Sequence, residues 1–218
     1  MNKKCVIVSG GTIQEEFALQ TIKDIRPDYI IGVDSGLNFL YRTKIEPTQV
    51  VGDFDSVDEL IISHYKKNAN VPIREYNAVK DSTDTEIALY LALELEVDEI
   101  WLLGATGTRL DHVWANVQIL KIALDHNVKT YMVDECNRIS LWKDSIRLSK
   151  KASFGKYFSV FPFGGSGEDI SIEGAKYSIE HYKMAPFESR TVSNEYADDE
   201  VVITFPKGIV LLMETRDQ

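Results

Sequence analysis

The sequence predicts an α/β fold followed by an all-β domain, and three observations carry that prediction. The first two-thirds alternate short, continuously apolar strand patterns with helical ones. After about Arg138 long helical patterns stop, and short strand patterns punctuated by Pro and Gly take over. Four of the early strands run into turns bearing Gly, Asp or Ser, which in a parallel sheet all emerge at one edge.

Cys5-Val6-Ile7-Val8 is an apolar run ending in Ser9-Gly10-Gly11, a strand and a tight turn. Tyr29 to Val33 repeats the pattern, ends in Asp34-Ser35-Gly36, and leads into a helical stretch from Leu37 to about Arg42. Val50 and Val51 form a third strand, followed by an amphipathic helix from about Val57 to Lys67 and a short strand from Ile73 to Tyr76. Thr85 to Glu96 places Ile87, Ala88, Leu91, Ala92 and Leu95 at the 3.6-residue period of a helix. Ile100 to Leu103 is a strand ending in Gly104, Val113 to about Asp125 a helix, and Lys129 to Val133 a strand. Continuously apolar strands separated by helices imply a mostly parallel sheet covered on both faces, a Rossmann-like three-layer domain over residues 1–137.

From 138 to 218 the patterns at Ile139–Trp142, Tyr157–Phe161, Ile170–Ile172, Val201–Phe205 and Ile209–Met213 predict a small β-sandwich. Pro162, Gly164, Gly165, Gly167, Pro206 and Gly208 read as its turns, with Phe205 to Ile209 a hairpin between the last two strands.

Composition limits the function classes. Of 218 residues, 44% are hydrophobic and 27% charged, the balance of a globular domain. A formal net charge of −10 argues against a basic face for nucleic acid but permits a nucleotide, which needs only a few local cations and a metal. Cys5 and Cys136 each read as buried in a strand and as free thiols of a reducing compartment. The first residues carry no signal-peptide pattern and no apolar run reaches membrane-spanning length, so a cytoplasmic location is expected.

Three clusters carry chemistry. In Val50-Val51-Gly52-Asp53-Phe54-Asp55-Ser56 two carboxylates follow a strand end. If the stretch stays extended, Asp53 and Asp55 share a face and Phe54 points to the core. Carboxylates held that close call for a divalent cation such as Mg²⁺. The plain alternative is a solvated turn with Ser56 capping the next helix. Lys80-Asp81-Ser82-Thr83-Asp84 opens the helix from Thr85, and Thr83 with Glu86 fits a capping box. Asp81 and Asp84 can serve the helix dipole or bring a further carboxylate to the edge where Asp53 lies. In Gly104-Ala-Thr-Gly107-Thr-Arg109-Leu-Asp111-His112 the glycines admit close backbone approach, the helix N-terminus offers N–H groups to anions, and Arg109 can fork onto phosphate. The structural alternative is an Arg109–Asp111 pair with His112 facing solvent.

These three motifs, in this order and spacing, resemble the signature of the thiamin pyrophosphokinase family. Asp34-Ser35-Gly36 sits where the family has an Asp-Gly-Gly-like turn, and Val192-Ser193-Asn194-Glu195 resembles its Ser-Asn segment. The resemblance implies a two-domain homodimer that transfers the pyrophosphoryl group of ATP to the hydroxyl of thiamin, releasing AMP, with each active site shared between subunits. It implies Mg²⁺ held by Asp53, Asp55 and Asp84. Asp34, Asp81, Arg109 and Asp111 would line the transfer site. Gly104, Gly107, Lys80 and His112 would bind ATP, and Ser193 and Asn194 thiamin. Either Asp111 or Asp34 could orient or deprotonate the thiamin hydroxyl. Ser35 replaces the family's middle glycine, and Thr108 stands where glycine is common.

Two other readings compete. A metal-dependent glycosyltransferase accounts for Asp53 and Asp55 but leaves Asp81, Asp84, Arg109 and Asp111 without a role. A non-catalytic thiamin or nucleotide sensor keeps the pockets but has no need for three acidic clusters with an arginine.

Overall fold

The computed structural model describes residues 2–68, 70–75 and 81–217, and it divides into two compact units, Met1–Glu135 and Cys136–Gln218. The first unit contains β1 (Lys4–Val8), α1 (Glu15–Ile25), β2 (Tyr29–Val33), α2 (Gly36–Thr43), β3 (Gln49–Gly52), α3 (Glu59–Lys67), β4 (Ile73–Glu75), α4 (Asp84–Glu94), β5 (Glu99–Leu103), α5 (Leu110–Asp125) and β6 (Lys129–Val133). Its strands pair in the order β4-β3-β2-β1-β5-β6, every pair parallel. Strand order runs outward one way from β1 through β4 and the other way from β5 through β6, so β1 and β5 flank a topological switch point, where parallel sheets open a crevice.

Val6 and Val8 of β1 join Ala18, Ile22 and Ile25 of α1 and Leu37 and Leu40 of α2 in one cluster. Cys5 and Ile7, on the opposite pleat, are equally buried, and α4 packs across β1, β2 and β3. Both faces are therefore covered, which explains why these strands read as unbroken apolar runs.

Helix α1 has no counterpart in the periodicity reading. Its N-cap is Gln14, whose side chain accepts from the Phe17 N–H, and glutamine is not among the usual cap residues. Helix α3 starts at Glu59 behind the Asp58 cap, which accepts from the Leu60 N–H at 2.8 Å, so the cap is Asp58 and not Ser56. Tyr76, the expected end of β4, and Lys80 lie outside the described residues.

The second unit contains β7 (Asn137–Trp142), β8 (Ile146–Ser149), a 3₁₀ turn (Lys150–Ala152), β9 (Tyr157–Glu173), β10 (Ile179–Met184), β11 (Asn194–Glu195), β12 (Glu200–Thr204) and β13 (Lys207–Thr215). All its ladders are antiparallel: β13 lies between β7 and β9, β12 between β8 and β9, and β10 and β11 pair with β9. Phe158 and Val160 from the first half of β9, Ile170 and Ile172 from its second half, Val201 and Ile203 of β12, and Val210 and Leu212 of β13 meet in one core.

Three expectations change here. Tyr157–Phe161 and Ile170–Ile172 are one 17-residue strand. Pro162 and the glycines after it bend that strand where its partners change from β13 to β10 and β12. The last two strands do not form a hairpin: β12 already has partners on both sides, so β13 pairs with β7 and β9 instead. Cys136 is half-buried between strands and not within one; both cysteines are free. Among the described residues, no helix is long and apolar enough to cross a membrane.

Candidate active site

The carboxyl ends of β1, β2 and β5 and the start of α4 surround a cleft of about 640 Å³. Its floor is a backbone seam between the loops that leave β1 and β5. The Ser9, Gly11 and Thr12 N–H groups donate to the carbonyls of Leu103, Gly104 and Thr106 at 2.8, 2.7 and 2.8 Å. At Gly11 a Cβ would lie 2.1 Å from the Thr106 carbonyl oxygen, so the seam closes only with glycine there.

Asp34 follows β2 in a left-handed conformation, φ 43°, with its N–H donating to the Val51 carbonyl at 3.1 Å. Its Oδ1 accepts from the Phe54 N–H at 3.4 Å. Gly52, φ 151°, brings its Cα so close that a Cβ would stand 1.8 Å from that same oxygen. Burial pushes the Asp34 carboxyl up to about 7, repulsion from Asp84 and Asp53 and a hydrogen bond shared with Asp84 push the same way, and the Phe54 N–H opposes them. Asp84 is half-buried at the first position of α4, where the helix dipole favours a carboxylate.

The segment from Asp53 to Asp55 is a turn and not an extended strand. Phe54 has φ 63°, and Asp53 Oδ1 accepts from the Asp55 N–H at 3.1 Å. Phe54 still reaches the core, at 8% exposure, but the common-face argument for the two aspartates fails. Asp53 is half-buried and within electrostatic reach of Asp34, whereas Asp55 and Asp81 are exposed. Among the described residues no three His, Cys, Asp or Glu side chains stand close enough to hold a metal unaided. What the fold brings together is the Asp34–Asp84 pair with Asp53 nearby. Hard carboxylate oxygens are the donors Mg²⁺ prefers, and the charge of Asp84 and Asp53, which adds to the effect of burial on Asp34, is what such a cation neutralises.

The loop from Gly104 to Arg109 forms the opposite wall. Arg109 pairs with Asp111 through Nη2 at 2.7 Å and Nε at 3.3 Å, which raises the guanidinium pKa and lowers that of the carboxyl. Both side chains are exposed, so the pair adds little stability and can be exchanged for a ligand phosphate. Arg109, Gly104, Gly107 and His112 line the cleft, His112 with its side chain exposed in the first turn of α5.

The motifs overlooked several polar groups. Asn116, one turn past His112 on α5, is buried and donates to the Ala105 carbonyl at 2.8 Å, holding that loop. The Ser9 and Thr85 hydroxyls meet at 2.9 Å, and the Ser35 hydroxyl donates to the Gly10 carbonyl at 3.2 Å. The spacing of His112 and Asn116 on one helix face is the signal for Asn116; the hydroxyl contacts join distant segments and leave no local pattern. The expected capping box is present in half. The Glu86 N–H donates to Thr83 Oγ1 at 3.2 Å, while the Glu86 carboxylate accepts from the Ser82 hydroxyl.

In the second unit, Ser193 is exposed with φ 56°. Asn194 is 1% exposed, and its carboxamide both accepts from the Tyr177 N–H and donates to the Tyr177 carbonyl, each at 3.0 Å. Tyr196 packs edge-on against Phe158 in the core.

Residues 25–132 match the family model "Thiamin pyrophosphokinase, catalytic domain", and residues 143–210 match "Thiamin pyrophosphokinase, vitamin B1 binding domain". The thiamine pyrophosphokinase of Bacillus subtilis is 32% identical over 187 residues, 86% of this chain and 87% of that protein. A crystal structure of the Bacillus subtilis thiamine pyrophosphokinase superposes with a TM-score of 0.88 at 28% identity, covering 99% of this chain and all of that one. The Candida albicans thiamin pyrophosphokinase, at 18% identity, has the same fold, with a TM-score of 0.80 over 98% of this chain and 89% of its own. With matches running through both units, the chain belongs to the thiamin pyrophosphokinase family of enzymes.

Proposed function

We propose that this enzyme transfers the pyrophosphoryl group of ATP to the hydroxyl of thiamin in an Mg²⁺-dependent reaction, giving thiamin diphosphate and AMP. Beyond the family match, the observation that carries this reading is the Asp34–Asp84 pair, with Asp53 beside it, facing a glycine-lined loop and an arginine across one cleft. That arrangement joins a cation-binding side to an anion-binding side, as a metal–nucleotide substrate requires. In this reading Met1–Glu135 is the Rossmann-like ATP and metal unit, and Cys136–Gln218 is the β-sandwich that binds thiamin.

The thiamin hydroxyl oxygen bonds to the β-phosphorus of ATP. The bond from that phosphorus to the oxygen leading to the α-phosphorus breaks, AMP leaves with that oxygen, and the hydroxyl proton passes to Asp111, Asp34 or solvent. Asp84 and Asp53, with Asp34 beside them and exposed Asp55 on the same turn as the further expected ligand, would hold Mg²⁺, which when bound supplies charge neutralisation on the phosphates. Gly104 and Gly107 let the loop backbone approach the phosphates at the N-terminus of α5. Lys80, Asp81 and His112 complete the nucleotide side, and Arg109 exchanges Asp111 for phosphate oxygens as charge develops. The exposed Ser193 hydroxyl meets thiamin, and Asn194 fixes the turn that presents it. The enzyme works in the cytoplasm as a homodimer whose sites draw on both subunits.

Incubation with ATP, Mg²⁺ and thiamin, followed by chromatography, tests this directly. Equal amounts of AMP and thiamin diphosphate, abolished by EDTA, are expected. ADP with thiamin monophosphate would refute the site of attack, and bound thiamin without product would refute catalysis. A monomeric mass in solution would remove the shared site.

A further inference from the structure

We infer that Ser9 and Gly10 act as a jig that sets the spacing of the Asp34 and Asp84 carboxylates, which makes Ser9, Thr85 and Ser35 positioning residues for the cation. The inference rests on the metal reading proposed above and extends it to residues that are not themselves ligands.

The geometry is direct. Thr85, which follows Asp84 at the start of α4, is 9% exposed, and its hydroxyl meets that of Ser9, 3% exposed, at 2.9 Å. Ser35, which follows Asp34 at the end of β2, donates its hydroxyl to the Gly10 carbonyl at 3.2 Å. Each carboxylate is thus one residue from a side chain tied to one of two consecutive residues of the β1 loop. That loop is rigid in its own right, because the Ser9 and Gly11 N–H groups are bonded to the β5 side of the seam. Valine would fill the Thr85 site with nearly the same volume, so packing alone does not call for a hydroxyl there. A cation must meet both carboxylates at one point, and its site is only as tight as those ligands are pre-placed.

The test uses Mn²⁺ as the probe, titrated into the full-length protein and followed by electron paramagnetic resonance, with thermal melting alongside. Thr85→Val should weaken Mn²⁺ binding about fivefold, the equilibrium worth of one neutral hydrogen bond, while Thr85→Ser keeps affinity within about twofold of wild type. A purely structural role would lower the melting temperature and leave Mn²⁺ affinity where it was. A folded Thr85→Val protein that binds Mn²⁺ like wild type overturns the inference alone. If Thr85→Val does not fold, Ser9→Ala is titrated against the same expectation and decides in its place. Wild-type protein that binds no Mn²⁺ overturns the metal reading and the inference with it.

Discussion

Replacing Gly52 with alanine puts a methyl group 1.8 Å from Asp34 Oδ1 and 2.8 Å from its Cγ, at a backbone φ of 151° that L residues rarely adopt. The backbone strain costs about 1–3 kcal/mol. Moving the Asp34 carboxyl aside loses the hydrogen bond from the Phe54 N–H, a further cost of about 1 kcal/mol. A total of roughly 2–4 kcal/mol in a unit of this size lowers the melting temperature by roughly 6–15 °C. The same movement takes Asp34 away from Asp84, so cation binding should weaken along with stability. Gly165→Ala is the control, because a Cβ there meets nothing within 4 Å and its φ is not in the left-handed region. Differential scanning fluorimetry of both variants, with and without Mg²⁺, reads both effects. A Gly52→Ala protein melting within about 2 °C of wild type, with its Mg²⁺ response intact, would refute the claim that Gly52 places Asp34.

Asp84→Asn or Asp53→Asn should cut turnover by about two orders of magnitude or more while the circular dichroism spectrum stays that of wild type; wild-type turnover in either removes that residue from the metal site. Mg²⁺ at a hundred times its dissociation constant should stabilise the wild-type protein by about 2.7 kcal/mol, and Asp84→Asn should erase most of that shift. Asn194→Ala strands the Tyr177 N–H and carbonyl and should destabilise the second unit by about 2–4 kcal/mol while raising KM for thiamin and not for ATP. An unchanged KM would mean that this turn does not meet thiamin. Glu214→Ala leaves the Arg138 guanidinium without the carboxylate it contacts at 2.6 and 2.7 Å, so a loss of about 3 kcal/mol is expected in a denaturant titration. A loss under about 1 kcal/mol would show that the other contacts of Arg138, its cation–π contact with Phe154 among them, suffice.

The parallel unit was legible because its strands are buried on both faces and so carry their signal in consecutive residues: Tyr29 to Val33 and Lys129 to Val133 have the same bounds in sequence and structure. The antiparallel unit was legible only in part, because β9 carries Pro162 and several glycines that locally look like the end of a strand. Whether such residues terminate a strand or bend it depends on partners far along the chain, and β13 and β12 supply those partners more than thirty residues later. The missed β10 fails for a related reason. Its sequence, Ile-Glu-His-Tyr-Lys-Met, is polar because the Glu180, His181 and Lys183 side chains are exposed, and its ladder with β9 carries two register shifts that break strict alternation.

At the candidate site, what could be read was which side chains are present, and what could not be read was the backbone conformation that aims them. Asp53-Phe54-Asp55 has the spacing of two carboxylates on one strand face, yet Phe54 in the left-handed region turns that spacing into a loop. Asp34, also left-handed, swings in to meet Asp84 from α4, so a carboxylate pair that shares a hydrogen bond joins two motifs that lie fifty residues apart. Left-handed backbone at an aspartate or phenylalanine is uncommon and is held here by tertiary contacts: the Val51 carbonyl on the Asp34 N–H, and the core around the Phe54 ring. Those contacts are hydrogen bonds and packing across the sheet, and they have no signature within a motif. The hydroxyls of Ser9, Ser35 and Thr85 were invisible for the same reason, since each is an ordinary small polar residue until the fold sets it opposite its partner. A motif therefore names the chemistry a site can hold, and the backbone between motifs decides which groups carry it out.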